Sequence, residues 1–120
     1  RANYTPAIAE AGRLYFEGLG VERNFAQSAK YYRLAAAKDN IEAEFALGYL
    51  LQTGGFGLKA DQTESAIWLQ KAALQGHSKA QARLGAKFYN GEGVIKDPVK
   101  AAAWLLLAAE RGDTRARSNL

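Results

Sequence analysis

One histidine, His77, and no cysteine set narrow limits on the catalytic chemistry open to this chain. Without cysteine there are no disulfides, no thiolate metal ligands and no thiol nucleophile. There is no histidine pair for a metal ion, and the carboxylates are scattered. His77 directly follows Gly76, so it reads as a turn or surface residue, with a partner contact as its other option. Three glycine clusters, Gly18-Leu19-Gly20, Gly54-Gly55-Phe56-Gly57 and Gly91-Glu92-Gly93, could suggest a phosphate cradle, but none carries the lysine–serine pair that such a loop requires. The expectation is a non-enzyme, with no catalytic residues, no metal and no cofactor.

Aromatic and basic side chains offer chemistry of another kind. Phe16, Phe45, Tyr49 and Tyr89, together with Gln52, Arg13, Arg83 and Lys87, would suit a peptide that brings apolar anchors and an acidic residue. The competing reading is that neighbouring helices bury these rings against each other. A second candidate surface is Leu106 and Leu107, within Trp104-Leu105-Leu106-Leu107, which make one helix apolar nearly all round. That helix reads either as covered by a following element or as a protein interface, a homodimer included.

These residues are positioned by an internal repeat. Ala7, Ala43, Ala80 and Ala116 lead successive units at spacings of 36, 37 and 36 residues. In the third unit Ala80 is followed by Leu84-Gly85, Phe88, Gly91-Glu92-Gly93-Val94, Asp97, Lys100-Ala101, Trp104, Ala108-Ala109 and Gly112. The second unit repeats this with Leu47-Gly48, Asp61, Trp68, Ala72-Ala73 and Gly76, and the first with Ala11-Gly12, Asn24, Tyr31 and Ala35-Ala36. The extra residue of the second unit falls in its glycine loop, where an insertion is cheap.

Each unit reads as a helical hairpin. Alanine, leucine and an aromatic four residues apart share one helix face. The glycine loop reverses the chain. Asn24, Asp61 and Asp97 stand as N-caps, with Gln27 and Glu64 three residues on as capping-box partners and Pro98 at a first helical position. The predicted helices cover about residues 6–17 and 25–38, 42–53 and 62–75, and 79–90 and 98–111. Trp68 and Trp104 are expected to be substantially buried between them. At the first joint Asp39-Asn40 replaces glycine, and asparagine is the residue better suited to a left-handed backbone. Positions two, six and nine after each leading alanine point away from the paired helix. They hold Ala9, Arg13 and Phe16, then Phe45, Tyr49 and Gln52, then Ala82, Ala86 and Tyr89.

The pattern Leu-Gly, aromatic, Gly-x-Gly-Val, Asp, Lys-Ala, Trp, Ala-Ala, Gly resembles the Sel-one-like repeat family, relatives of the tetratricopeptide repeats. It covers about residues 7–116 and is fullest in the third copy. Ala11 in place of leucine, Leu51 in place of the aromatic, and the longer second loop depart from it. The resemblance implies an all-α, α/α superhelical solenoid of three helix-turn-helix repeats with a concave groove. It implies adaptor work, that is, binding a peptide or protein partner. It also implies an aromatic at position 45 for packing, and a usually polar residue where Phe16 and Tyr89 stand. Some cysteine-rich members are linked to penicillin-binding or β-lactamase-like activity, but here both cysteine and a Ser-x-x-Lys motif are missing.

The repeat limits are about 7–42, 43–79 and 80–115, with 116–120 opening a further helix inside a single domain of residues 1–120. The lack of methionine and the partial repeats at both ends suggest a piece of a longer protein. Hydrophobic residues make up 48% and charged residues 23%, as in a globular chain. The net charge of +4 divides as +1 over residues 1–42, 0 over 43–79 and +3 over 80–120, with acids interspersed. That is no dense basic stripe, so nucleic acid is not expected as a partner. No apolar run reaches the roughly 20 residues of a membrane span, so membrane insertion is not expected either. The compartment stays open, with a slight lean to an exported or periplasmic bacterial setting. Besides the adaptor reading, two others remain: an accessory factor or enzyme of cell-envelope metabolism, and a purely structural spacer.

Overall fold

The computed structural model describes residues 4–111. They form α1 (Thr5–Glu17), α2 (Phe25–Ala36), α3 (Ile41–Thr53), α4 (Gln62–Leu74), α5 (Ser78–Asn90) and α6 (Pro98–Glu110). Among the described residues there is no strand, only a lone bridge between Gly55 and Leu58. Consecutive helices pack on each other throughout, giving three hairpins joined through α2–α3 and α4–α5. The all-α repeat fold is as expected, and every helix end lies within two residues of its predicted place. The readings at Gly112 and at 116–120, and the one at the first three residues, lie outside the described residues.

The second helices start where expected. The side chains of Asn24, Asp61 and Asp97 each accept the backbone N–H three residues on, at 3.0 Å. The reciprocal half of the capping box is absent because the cap N–H groups are already used. They donate to Tyr15 O, Leu51 O and Phe88 O at 3.0, 2.8 and 2.8 Å, closing each hairpin. Glu64 is thereby released for other work: it accepts from Trp68 Nε1 at 3.0 Å and pairs with Arg33 of the preceding repeat.

The first helices of the second and third hairpins are capped by Asn40 and His77. Asn40 Oδ1 accepts from Ala43 N at 2.8 Å, and His77 Nδ1 accepts from Ala80 N at 3.2 Å. At the first joint the left-handed residue is Asp39 (φ 63°), not asparagine, because Asn40 is occupied as the cap.

Within a hairpin the helices touch at glycine. A Cβ at Gly48 would stand 2.8 Å from Leu69 Cγ. Ser65 Oγ, fully buried, donates to Gly48 O across this contact at 2.6 Å, and Ser28 Oγ donates to Gly12 O at 2.8 Å. The core itself sits at the joints between repeats. Tyr32, Ala35 and Ala36 of α2 pack with Ala43, Leu47 and Leu50 of α3. Leu69, Ala72 and Ala73 of α4 pack with Ala80 and Leu84 of α5. Trp68 and Trp104 border these clusters and are half-buried, less enclosed than the sequence suggests. For Trp68 the reason is its indole N–H, which needs the Glu64 carboxylate at the protein edge.

Candidate functional site

The candidate residues lie on α1, α3 and α5, the first helices of the three hairpins, which come together on one side of the array. Phe16, Phe45, Tyr49 and Arg83 meet there around a pocket of about 310 Å³. Tyr32, Ala46 and Lys79 complete its lining. The Phe16 ring meets the Tyr49 ring edge-on at 6.0 Å between centroids, and Phe45 lies 6.5 Å from Tyr49. The series continues at both ends. Phe16 stacks on Phe25 at 5.2 Å, and Phe45 stacks on the His77 imidazole at 4.4 Å. The Arg83 guanidinium lies over the Tyr49 ring at 4.5 Å. These rings pack on one another and still wall an open concavity.

Two further concavities continue this one. On one side Phe16 and Tyr49 also border a hollow lined by Leu19, Arg23 and Thr53. On the other, Phe45 and Lys79 border a hollow with Glu42 and His77. The three hollows lie beside α3 and share walls, Phe16 and Tyr49 between the first and second, Phe45 and Lys79 between the first and third.

The remaining candidates stand elsewhere. Arg13 is engaged on its own helix with Glu10 (2.6 Å) and Glu17 (3.2 Å), and these bonds favour its charged form further. Gln52 is half-buried, and its backbone carbonyl accepts from Gln62 Nε2 at 2.9 Å. Tyr89 is 61% exposed and lines none of the three hollows. Lys87 is a correction: it is fully buried, and its Nζ donates to Gln62 Oε1 at 2.7 Å. It points between the hairpins because Gln62, at the start of α4, supplies the acceptor. Burial pushes its pKa down. It offers no charge to the groove.

Three lining residues were not among the sequence candidates. Tyr32 lies in α2, outside the first-helix positions considered. Its hydroxyl is held neutral, its pKa pushed up to about 12 by burial and then by the Glu17 charge. Ala46 carries no chemical signal. Lys79 precedes the leading Ala80 and looks like a turn residue, yet it stands one helical turn before Arg83 on the same face of α5. That i, i+4 spacing was the signal available. On the outer side, Leu106 and Leu107 are 54% and 42% exposed.

No group of three or more His, Asp or Glu side chains gathers among the described residues, and no described helix is long and apolar enough to cross a membrane.

Comparison with known proteins agrees with this architecture. Chitin synthase regulatory factor 3 of Schizosaccharomyces pombe is 36% identical over 97 residues, covering 79% of this chain and 10% of the relative. Chitin synthase regulator SKT5 of Malassezia restricta is also 36% identical over 97 residues, covering 78% of this chain and 7% of the relative. The chain thus spans a tenth or less of these curated relatives. Both are fungal, so the bacterial setting suggested by the sequence has no support from them. Among solved structures, c5321, a protective antigen of uropathogenic Escherichia coli, superposes with TM-score 0.90 at 37% identity, over 94% of this chain and 24% of that one. A Sel1 repeat protein from Oxalobacter formigenes gives 0.88 at 36% identity, over 96% and 47%. Cysteine-rich protein B of Helicobacter pylori, 22% identical with TM-score 0.77 over 98% and 89%, shares the fold. The Sel1 repeat pattern matches residues 5–40, 41–77 and 78–113 in turn, one match per hairpin, and the chain belongs to the Sel1 repeat family.

Proposed function

We propose that this chain is an interaction module that holds a peptide segment of a protein partner in a trough that the three hollows form beside α3. The observation that carries this reading is the aromatic-walled pocket between Phe16, Phe45 and Tyr49, open to solvent and bordered by Arg83. Such rings bury large area on binding at low entropic cost, because they are already packed on each other. The family supports it, since Sel1 repeats are protein-interaction repeats. The two fungal relatives are named as a regulatory factor and a regulator of chitin synthase, which suits an accessory role more than catalysis.

The test is a peptide-display selection on the purified chain, followed by affinity measurements on the enriched peptides. Tyr49→Ala and Phe16→Ala should each weaken binding about tenfold or more, with the helical circular dichroism unchanged. Enriched peptides that ignore both changes but are lost on Leu106→Arg would move the interface to the outer helix.

A second reading concerns that outer helix. The counterparts of Leu106 and Leu107 are Arg33-Leu34 and Gln70-Lys71, and all four are exposed although their repeats are each followed by another. A further stacked repeat would therefore leave Leu106 and Leu107 uncovered. It would cover Ala102 instead, which is exposed where its counterparts Ala29 and Ala66 are buried. The stripe Val99, Ala103, Leu106 is uncharged, so two copies of a chain with net charge +4 can meet there without opposing like charges. Light scattering at rising concentration tests this homodimer. A monomer at every concentration, unaltered by Leu106→Arg, removes it.

A further inference from the structure

Of the described residues lining the central pocket, Tyr32 alone is buried, at 8% exposure. Its place in the repeat explains how it arrives there. Its counterparts in the second and third hairpins are Leu69 and Leu105, which face Gly48 and Gly85 through Cγ and Cδ2. The leucine side chains end at that contact. Tyr32 faces Gly12 through the same near part of its side chain, Cγ and the two Cδ atoms, and it is longer. The far edge of its ring and the hydroxyl therefore pass beyond Gly12, to the side where Phe16, Phe45 and Tyr49 wall the pocket.

The Tyr32 hydroxyl makes no hydrogen bond to a described residue, and it is not one of the sealed, unpartnered polar atoms of the protein either. It is thus reachable from the pocket. Burial keeps it protonated, and around it the carboxylates of Glu17, Glu10 and Glu42 outweigh the Arg13 charge. A group that donates a hydrogen bond is favoured at such a place over one that accepts. A ligand that fills the pocket cuts the hydroxyl off from solvent. A purely apolar ligand leaves it buried and unpaired, which costs affinity, whereas a ligand with its own donor replaces the lost bond. The pocket, about 310 Å³ with four aromatic walls, has room for one large ring.

We propose that the Tyr32 hydroxyl makes the pocket selective for an aromatic side chain of the partner that carries a hydrogen-bond donor, the indole of tryptophan or the phenol of tyrosine. The ring fills the space between Phe16, Phe45 and Tyr49, and its N–H or O–H donates to Tyr32 Oη. Phenylalanine or leucine fills the same space but leaves the hydroxyl unpaired. This deepens the groove reading above and rests on it.

The test uses ten-residue fluorescent peptides, acetylated and amidated, with neutral Gly-Ser flanks so that no charge contributes. The central residue is Trp, Tyr, Phe or benzothienylalanine, which has the shape of Trp with sulfur in place of the indole N–H. By anisotropy, Trp should bind about five- to tenfold more tightly than benzothienylalanine, and Tyr more tightly than Phe by a similar factor. The two pairs tell an indole from a phenol. Tyr32→Phe keeps the ring over Gly12 and removes only the hydroxyl. It should erase both differences and leave the melting temperature at or above that of wild type. A fall of several degrees would show that the hydroxyl bonds within the protein, and overturns the inference. Equal affinity for Trp and benzothienylalanine in wild type also overturns it, yet leaves the groove reading intact if Tyr49→Ala weakens both. A preference for Trp that survives Tyr32→Phe gives the donor another partner and removes Tyr32 from the role. If no peptide binds, or Tyr49→Ala changes nothing, the inference and the groove reading fall together.

Discussion

Glu44 and Lys87 are wholly enclosed, and burial pushes each toward its neutral form. Glu44 accepts from Gln75 Nε2 at 2.7 Å through one carboxylate oxygen, while the other has no hydrogen-bond partner among the described residues. Its folded pKa is raised, so its contribution to stability is full below the unfolded value and is lost as pH rises through the folded value. Lys87 runs the other way. Its folded pKa is lowered, so its contribution is present above the unfolded value and is lost as pH falls through the folded one. Glu44→Gln removes the first of these losses. The variant should therefore gain on wild type as pH rises from about 4 to 7 in urea melts. A constant difference across that range would mean that Glu44 is not enclosed. Lys87→Glu, attractive from sequence as a groove probe, would instead bury an acceptor against Gln62 Oε1 and unfold the protein. Gly93 is the other sensitive residue. It has φ 74°, and an added Cβ would collide with Gln62 O and lie 2.9 Å from Thr63 N. Gly93→Val should thus cost about 3 kcal/mol, read as a shift in the urea midpoint.

The six helices were legible because every signal agreed: leading alanines, cap residues, glycine loops and the spacing of 36 or 37 residues. What was not legible is where side chains go when a repeat position has a choice. Ser28 and Ser65 occupy the place of Ala101, and nothing in their type says that they bond Gly12 O and Gly48 O across the hairpin. Lys87 could snorkel outward or turn in, and the decision lies with Gln62, 25 residues earlier in the chain. The loop of the second repeat is a similar case. Its extra residue was visible, but not its use: Phe56 (φ 47°) and Gly57 (φ 90°) form a tight turn that offers Phe56 O to Phe25 N at 2.9 Å. That bond ties the second repeat to the start of α2, and the third repeat approaches the start of α4 closely at Gly93, with no room there for a Cβ. At this scale Ser65→Ala is informative. It removes a buried hydroxyl without adding volume, and the third hairpin already manages with alanine at that place. The expected loss is about 1 kcal/mol by denaturant melt. A loss above about 3 kcal/mol would show that the bond to Gly48 O sets the hairpin geometry.

Over the whole molecule, stability is distributed along the array. The two larger core clusters lie at the joints, α2 with α3 and α4 with α5, so the middle hairpin contributes to both. The outer helices contribute little: α1 buries Thr5 and Gly12, and α6 buries Ala101 and Ala108. In a nearest-neighbour solenoid each repeat is held by its own packing and its interfaces, so a hairpin with one interface opens before a hairpin with two. Amide hydrogen exchange should follow this order. Amides of α3 and α4 should exchange only on global unfolding, while those of α1 and α6 exchange faster through local opening. Leu47→Ala, which empties a site with no exposure in the first cluster, should cost about 2–5 kcal/mol and speed exchange in both α2 and α3. Leu106→Arg, on an exposed face, should change the exchange of a monomeric chain by no more than about 0.5 kcal/mol. Protein concentration then separates the two states of the outer helix. If α6 protection stays low at every concentration, α6 is a frayed end and Leu106 is merely exposed. If α6 protection rises with concentration in wild type but not in Leu106→Arg, a second copy covers that face, because mass action adds stability only where the partner binds the folded form.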